Sequence, residues 1–225
     1  MVETGLAGRD VLVFGATGAL GAAVAATFAD LGAVVRGADQ QLPGADRRLA
    51  GVQYESVDAL DDDALRAFFD ARRAPWAVIN TVGGYAPQRP LAELDPAELT
   101  RQFELNLVSA ALITKHALRV MQMAGEGRIV HTASRAATVT AGNGFAYSVS
   151  KLGVLHLVRM AADETRGTGI TVNCVVPSII DTPANRAAMP TADHDSWPKP
   201  RDIVVSYVYL TSPYAHLVNG AAIPV

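Results

Sequence analysis

The sequence predicts an α/β fold, a doubly wound parallel sheet in a single domain, on three observations. Short β-branched apolar runs alternate with longer amphipathic stretches along the whole chain. Some of those runs are apolar on both faces, as strands covered by helices above and below must be. Glycines follow the first and third of these apolar runs, where a strand hands the chain to what comes next.

The elements follow in order. "DVLVFG" reads as a first strand ending at Gly15, and "ALGAAVAATFADLG" as a helix closed by Gly32. "AVVRGAD" reads as the second strand. "DDDALRAFFDARR" is a helix whose first turn is acidic, as the helix dipole favours, so the aspartates at 61–63 mark a helix start and not a metal site. "WAVINTVGG" is a strand. "DPAELTRQFELNLVSAALITKHALRVM" reads as one long helix, with Asp95 as N-cap and Pro96 in its first turn. "GRIVHTAS" is a strand, "YSVSKLGVLHLVRMAADET" a helix, and "GITVNCVVPS" a strand with both faces apolar. "PRDIVVSYVYLT" is a helix and "NGAAIPV" the last strand. This alternation is a fold of the Rossmann kind spanning residues 1–225. The irregular stretch "TPANRAAMPTADHDSWPKP", about 182–200, follows a strand's carboxyl end. Ligands bind beyond those ends in open α/β sheets, so it reads as a lid.

Composition excludes several functions. The chain has 225 residues, half of them hydrophobic, and a net charge of −3, with a pI near 5.9. No basic footprint for nucleic acid is present. The single cysteine, Cys174, cannot form an internal disulfide and sits in an apolar run. No secretory leader and no apolar run of membrane-spanning length is visible, so a cytoplasmic protein is expected. The five histidines are dispersed without metal-ligand spacing, and His194 reads as a solvated residue of the lid.

Three motifs carry chemistry. "GATGALG" follows a strand and opens a helix, the context in which glycines let the backbone approach a pyrophosphate. It makes Gly15, Thr17, Gly18, Ala19, Leu20 and Gly21 candidate cofactor contacts, against the plainer reading of a tight turn. Asp39 ends the second strand, about 20 residues on, where a carboxylate holds adenosine ribose hydroxyls and repels a 2′-phosphate. NAD(H) is therefore favoured; Arg36, Arg47 and Arg48 keep NADP(H) open. Finally, Tyr147 and Lys151 lie at i and i+4 of a helix and share a face. An ammonium beside a phenol lowers its pKa, and a poised phenol exchanges protons with a carbonyl or alcohol oxygen. Ser134 ends the preceding strand, placed to hold the same oxygen.

In this order the motifs resemble the short-chain dehydrogenase/reductase family over essentially the whole chain. The resemblance implies Tyr147 as acid/base and Ser134 as the group orienting substrate. It implies Lys151 as the binder of the nicotinamide ribose that tunes Tyr147, and Asn106, in "FELNLVSA", as its link to solvent. It further implies Asp58 in "DALDDDAL" at the adenine, Asn80 and Gly83 in "NTVGG" along the cofactor, and Pro177, Ile180 and Thr182 in "VVPSIIDTP" at the nicotinamide. Phe14 stands where the family has threonine, the middle glycine is shifted, and Ser178 replaces a glycine. The lid, with "VGGYA", resembles quinonoid dihydropteridine reductases and their relatives. This makes Tyr85 and Trp197 stacking candidates, although an anchoring role for Trp197 is the stronger reading. Arg135 stands ready for an anionic substrate or for solvent, and Asn143 and Phe145 for the pocket entrance. The expected activity is hydride transfer between a nicotinamide and a small carbonyl or alcohol. The alternatives are a dihydropteridine-type reductase and a non-catalytic NAD(P) sensor. The apolar helices "LNLVSAALITKHAL" and "KLGVLHLVRMAA" point to a homodimer or homotetramer.

Overall fold

The computed structural model describes residues 4–85, 89–139 and 144–225. Seven strands form one parallel sheet in the order β3-β2-β1-β4-β5-β6-β7. They are β1 Asp10–Phe14, β2 Val34–Asp39, β3 Val52–Ser56, β4 Ala77–Asn80, β5 Gly127–Thr132, β6 Ile170–Val176 and β7 Ala222–Pro224. Strand order reverses between β1 and β4, which opens a crevice at their carboxyl ends, the usual ligand position in this topology.

The central strands β1, β4, β5 and β6 bury apolar residues on both faces because each face has its own core. Leu12, Phe14, Val78, Ile129 and Val172 face α2 Asp62–Asp70, α4 Ser109–Ala124 and α5 Phe145–Glu164. Their neighbours Val11, Val13, Ile79, Val130 and Val175 face α1 Ala19–Asp30 and α7 Pro200–Thr211. Alternate residues thus bury on opposite sides, the period of two that a strand imposes.

Helix starts follow their caps. Asp61 accepts a hydrogen bond from the Ala64 amide (2.9 Å) to open α2. Asp95 accepts one from Ala97 (2.9 Å) to open α3 Pro96–Phe103. Three features depart from expectation. The long helix runs unbroken but is not regular: residues Glu104–Val108 form a π-turn between α3 and α4. The strand β3 was not read from its residues, because Val52–Ser56 alternates polar and half-buried positions at the sheet's edge. The 182–200 segment contains a short helix, α6 Pro183–Ala188. Phe14 is also explained. It stacks on Phe69 (5.9 Å between ring centres) and meets Phe68 edge-on (5.5 Å), so it belongs to the core beneath α2 and leaves the glycine loop undisturbed.

Candidate active site

The glycine loop joins β1 to α1 at the crevice. Gly15 has a φ of +79°, and a Cβ there would sit 2.7 Å from Thr81 Oγ1. At Gly21 a Cβ would fall 2.1 Å from Gly15 O. Both positions therefore exclude any side chain. Gly18 differs: its Cβ would rest 3.4 Å from Gly15 O, an ordinary contact. It is the N-cap of α1 with no side-chain cap, so the first turn, which holds Ala19, Leu20 and Gly21, ends in backbone alone. A bare helix N-terminus behind a turn that tolerates no Cβ fits a dinucleotide pyrophosphate.

Asp39 closes this end of the crevice. One carboxylate oxygen accepts from Thr17 N (3.1 Å) and Thr17 Oγ1 (2.6 Å), tying β2 to the loop. Sequence reading placed both residues at the cofactor but missed that they meet. Asp58, after β3, accepts from Gln40 Nε2 (3.1 Å) and Leu60 N (2.8 Å). Arg36 is turned away: its guanidinium pairs with Asp10 (2.5 Å) at the opposite, amino end of β1. Arg47 and Arg48 lie exposed after β2.

The chemistry-bearing side chains converge where β4, β5 and α5 meet. Asn106 is buried in the π-turn, a feature that often marks functional sites. The widened turn brings its carboxamide to the loop after β4. Oδ1 accepts from Gly84 N (3.1 Å), and Nδ2 lies within bonding distance of Gly84 O, Gln102 Oε1 and Ser150 Oγ (3.0–3.2 Å). Gly83, with φ +157°, passes so close that a Cβ would stand 2.7 Å from both Asn106 Oδ1 and Lys151 Nζ. Lys151 is itself buried and donates to Thr132 O (3.0 Å). Burial lowers its pKa from 10.5 to about 8.

Tyr147 stands one turn earlier on α5. Burial raises its pKa, the Ser134 hydroxyl beside it lowers it, and Tyr85 raises it further. The net direction is upward. Lys151 is not among the groups that shift the phenol; its ammonium is directed at Thr132 O. Ser134 also caps the turn after β5, accepting from Ala136 N (3.2 Å).

The outer pocket is mixed. Tyr85 packs edge-on against Tyr147 (5.1 Å). Phe145 and Tyr147 line a cavity with Leu91, Leu94 and Arg89. The last three escaped sequence reading because "RPLAEL" carries no motif. Arg135 is exposed in the turn after Ser134. Asn143 lies outside the described residues. Trp197 does not join this cavity; its ring packs on His194 (4.6 Å), which also bonds Met189 O (2.7 Å). His194 is thus half-buried rather than solvated. Pro177 is buried, and its carbonyl accepts from Arg135 N (2.9 Å). Ile180 O accepts from Asn185 Nδ2 (2.8 Å) and Thr182 Oγ1 from Asn185 N (3.2 Å), so both residues shape the entry to α6.

Comparison with known proteins gives a consistent relationship. Residues 15–225 match a family model described as enoyl-(acyl carrier protein) reductase. The cis-4-hydroxycyclohexanecarboxylate dehydrogenase of Sinomonas cyclohexanicum is 34% identical, covering 96% of this chain and 94% of its own. The D-threitol dehydrogenase of Mycolicibacterium smegmatis is 30% identical, with 96% and 90% covered. A solved structure of a short-chain type dehydrogenase/reductase from Mycobacterium ulcerans superposes with a TM-score of 0.89 at 27% identity, covering 98% of this chain and 89% of that one. Among the described residues, no helix is long and apolar enough to cross a membrane.

Proposed function

The chain belongs to the short-chain dehydrogenase/reductase family of NAD(P)-dependent oxidoreductases, and from that premise we propose that it interconverts a secondary alcohol and its ketone with Tyr147 as acid/base. The observation that carries this reading is the gathering of Tyr147, Ser134, Lys151 and Asn106 beside a glycine loop that admits no Cβ at Gly15 or Gly21. Both named relatives act on alcohols by their names, one cyclic and one a polyol, which supports an alcohol as the shared chemistry.

The nicotinamide supplies or accepts the hydride when bound. The residues do the rest. Ser134 holds the substrate oxygen, and Tyr147 gives it a proton during reduction or removes one during oxidation. Lys151 binds the ribose and, through Asn106, connects the site to solvent. The glycine loop from Gly15 to Gly21 holds the pyrophosphate; Asp58 lies at the adenine; Asn80 and Gly83 flank the cofactor; Pro177, Ile180 and Thr182 lie at its nicotinamide end. Tyr85 and Phe145 flank the substrate, and residues 182–200 close over it as a lid anchored by Trp197. With Trp197 on His194, a pterin-stacking role loses its main support. The presence of the Tyr147–Lys151 pair argues against a silent sensor.

NAD(H) is the proposed cofactor. Asp39 presents its carboxylate at the loop, while Arg36 is held by Asp10 away from any 2′-phosphate. Asp39→Ala is expected to weaken NADH binding by about tenfold, and NADPH binding less, the loss of a charge-assisted contact. Fluorescence titration with each dinucleotide checks this; an unchanged ratio places the ribose elsewhere. We also propose a homo-oligomer built on α4 and α5, which expose Leu152, Met160 and Met123. Light scattering at the monomer mass, 23.6 kDa, rejects it.

The test of the function is NADH and NADPH oxidation with 4-oxocyclohexanecarboxylate, an aliphatic diketone, an aromatic aldehyde and quinonoid dihydropterin. Ketone turnover supports the reading. Turnover of the pterin alone replaces it, and tight dinucleotide binding without turnover favours the sensor.

A further inference from the structure

His131 is fully buried in β5, and its ring lies between two polar side chains. Nε2 is 2.8 Å from Thr114 Oγ1, and Nδ1 is 3.2 Å from Asn80 Nδ2. The neighbours fix the direction of each bond. Thr114 has one hydroxyl proton, committed to Ala110 O at 2.7 Å, so its oxygen receives the proton of Nε2. Nδ1 therefore carries a lone pair and accepts from the Asn80 amide. That leaves Asn80 Oδ1 to accept from Val82 N (2.9 Å), in the loop after β4. Two residues on, the same loop binds Asn106 through Gly84 N, and at Gly83 it grazes Lys151. Burial, reinforced by the Lys151 ammonium, holds the imidazole pKa down at about 4, so the ring is neutral. A buried polar ring costs stability unless both nitrogens are satisfied, and here both are.

We propose that His131 is a positioning residue for the dinucleotide: its Nδ1 lone pair orients the Asn80 carboxamide, which fixes the loop over residues 82–84 against Asn106 and Lys151. The proposal rests on the reading of this crevice as the NAD(P) site.

Two substitutions separate the nitrogens. In His131→Asn the side-chain oxygen occupies the place of Nδ1, keeping an acceptor for Asn80 and losing the Thr114 bond. In His131→Gln the side-chain nitrogen occupies the place of Nε2, keeping Thr114 and losing the acceptor. Each is titrated with NADH by fluorescence, alongside its cofactor-free melting temperature and the NADH-induced shift in that temperature. His131→Asn is expected to hold NADH within about threefold of the unaltered protein, and His131→Gln to bind roughly tenfold more weakly, the loss of one buried acceptor. The KM for NADH should rise in the Gln variant with kcat little changed. A role in packing alone predicts the reverse ranking, because glutamine is closer to histidine in size. That ranking, or equal affinities, overturns the proposal while leaving the dinucleotide site standing. Failure of the unaltered protein to bind either NADH or NADPH overturns both.

Discussion

Tyr147→Phe is expected to lower kcat/KM by a factor of about a hundred to ten thousand, the range a positioned proton donor contributes, with NADH affinity unchanged. The substitution keeps the ring that packs against Tyr85 and removes only the transferable proton. Steady-state rates together with a fluorescence titration of NADH separate the two quantities; a variant with retained turnover rejects Tyr147 as acid/base. The phenol's raised pKa gives the pH dependence its sign. Burial keeps the hydroxyl protonated across neutral pH. Ketone reduction, which needs the proton, should be level there and fall only in alkali. Alcohol oxidation, which needs the phenolate, should climb with pH. Opposite limbs for the two directions, both lost in the Phe variant, are the expected profile.

The second large effect concerns stability. Lys151 is buried with one carbonyl partner, and its pKa falls from 10.5 to about 8. Below pH 8 the lysine is charged in both folded and unfolded chains, and the folded protein carries the full cost of burying it. Between pH 8 and 10.5 the folded protein releases the proton first, the unfolded chain binds more protons, and stability rises with pH. At about 1.4 kcal/mol per pKa unit, the full cost is about 3 kcal/mol. Lys151→Met is therefore expected to gain about 1–3 kcal/mol of unfolding free energy at pH 7, somewhat below the full cost because Thr132 O loses its donor. The same variant should be inactive. Urea unfolding at pH 7 and pH 10 tests this, with the gain shrinking at the higher pH. A Met variant less stable than the parent at pH 7 means that the ammonium is better paired than its single bond to Thr132 indicates.

Much of the fold was legible because it is written in periodicity. The two-sided apolar strands, the Asp61 and Asp95 caps and the closing Gly32 each state a local preference that packing then confirms. The edge strand β3 was not legible, since its residues are exposed or half-buried and carry no apolar run. The π-turn was not legible either. Residues Glu104–Val108 have ordinary helical composition, and the contact that Asn106 makes from the turn, with Gly84 N, lies 22 residues away in sequence. For the site, motifs singled out candidate residues through their spacing along one helix or one loop. They were silent on pairs made across the sheet. Thr17 with Asp39, and His131 with Asn80 and Thr114, are contacts between segments whose separation in sequence carries no signal. Trp197 was singled out from the sequence, but its contact with His194 was not legible.

The bond between Asp39 and Thr17 has a consequence for anyone altering cofactor choice. The carboxylate already holds the loop in place through two donors, the amide and hydroxyl of Thr17. Part of the ordering entropy of that loop is therefore spent during folding, so a dinucleotide bound there as proposed would meet a preorganised cradle. If Asp39 faces the ribose as proposed, replacing it with a small or basic residue to admit a 2′-phosphate removes the loop's tether along with the repulsive charge. A redesign toward NADPH consequently has two tasks: a cation for the phosphate, and a new acceptor that keeps Thr17 where Asp39 now holds it.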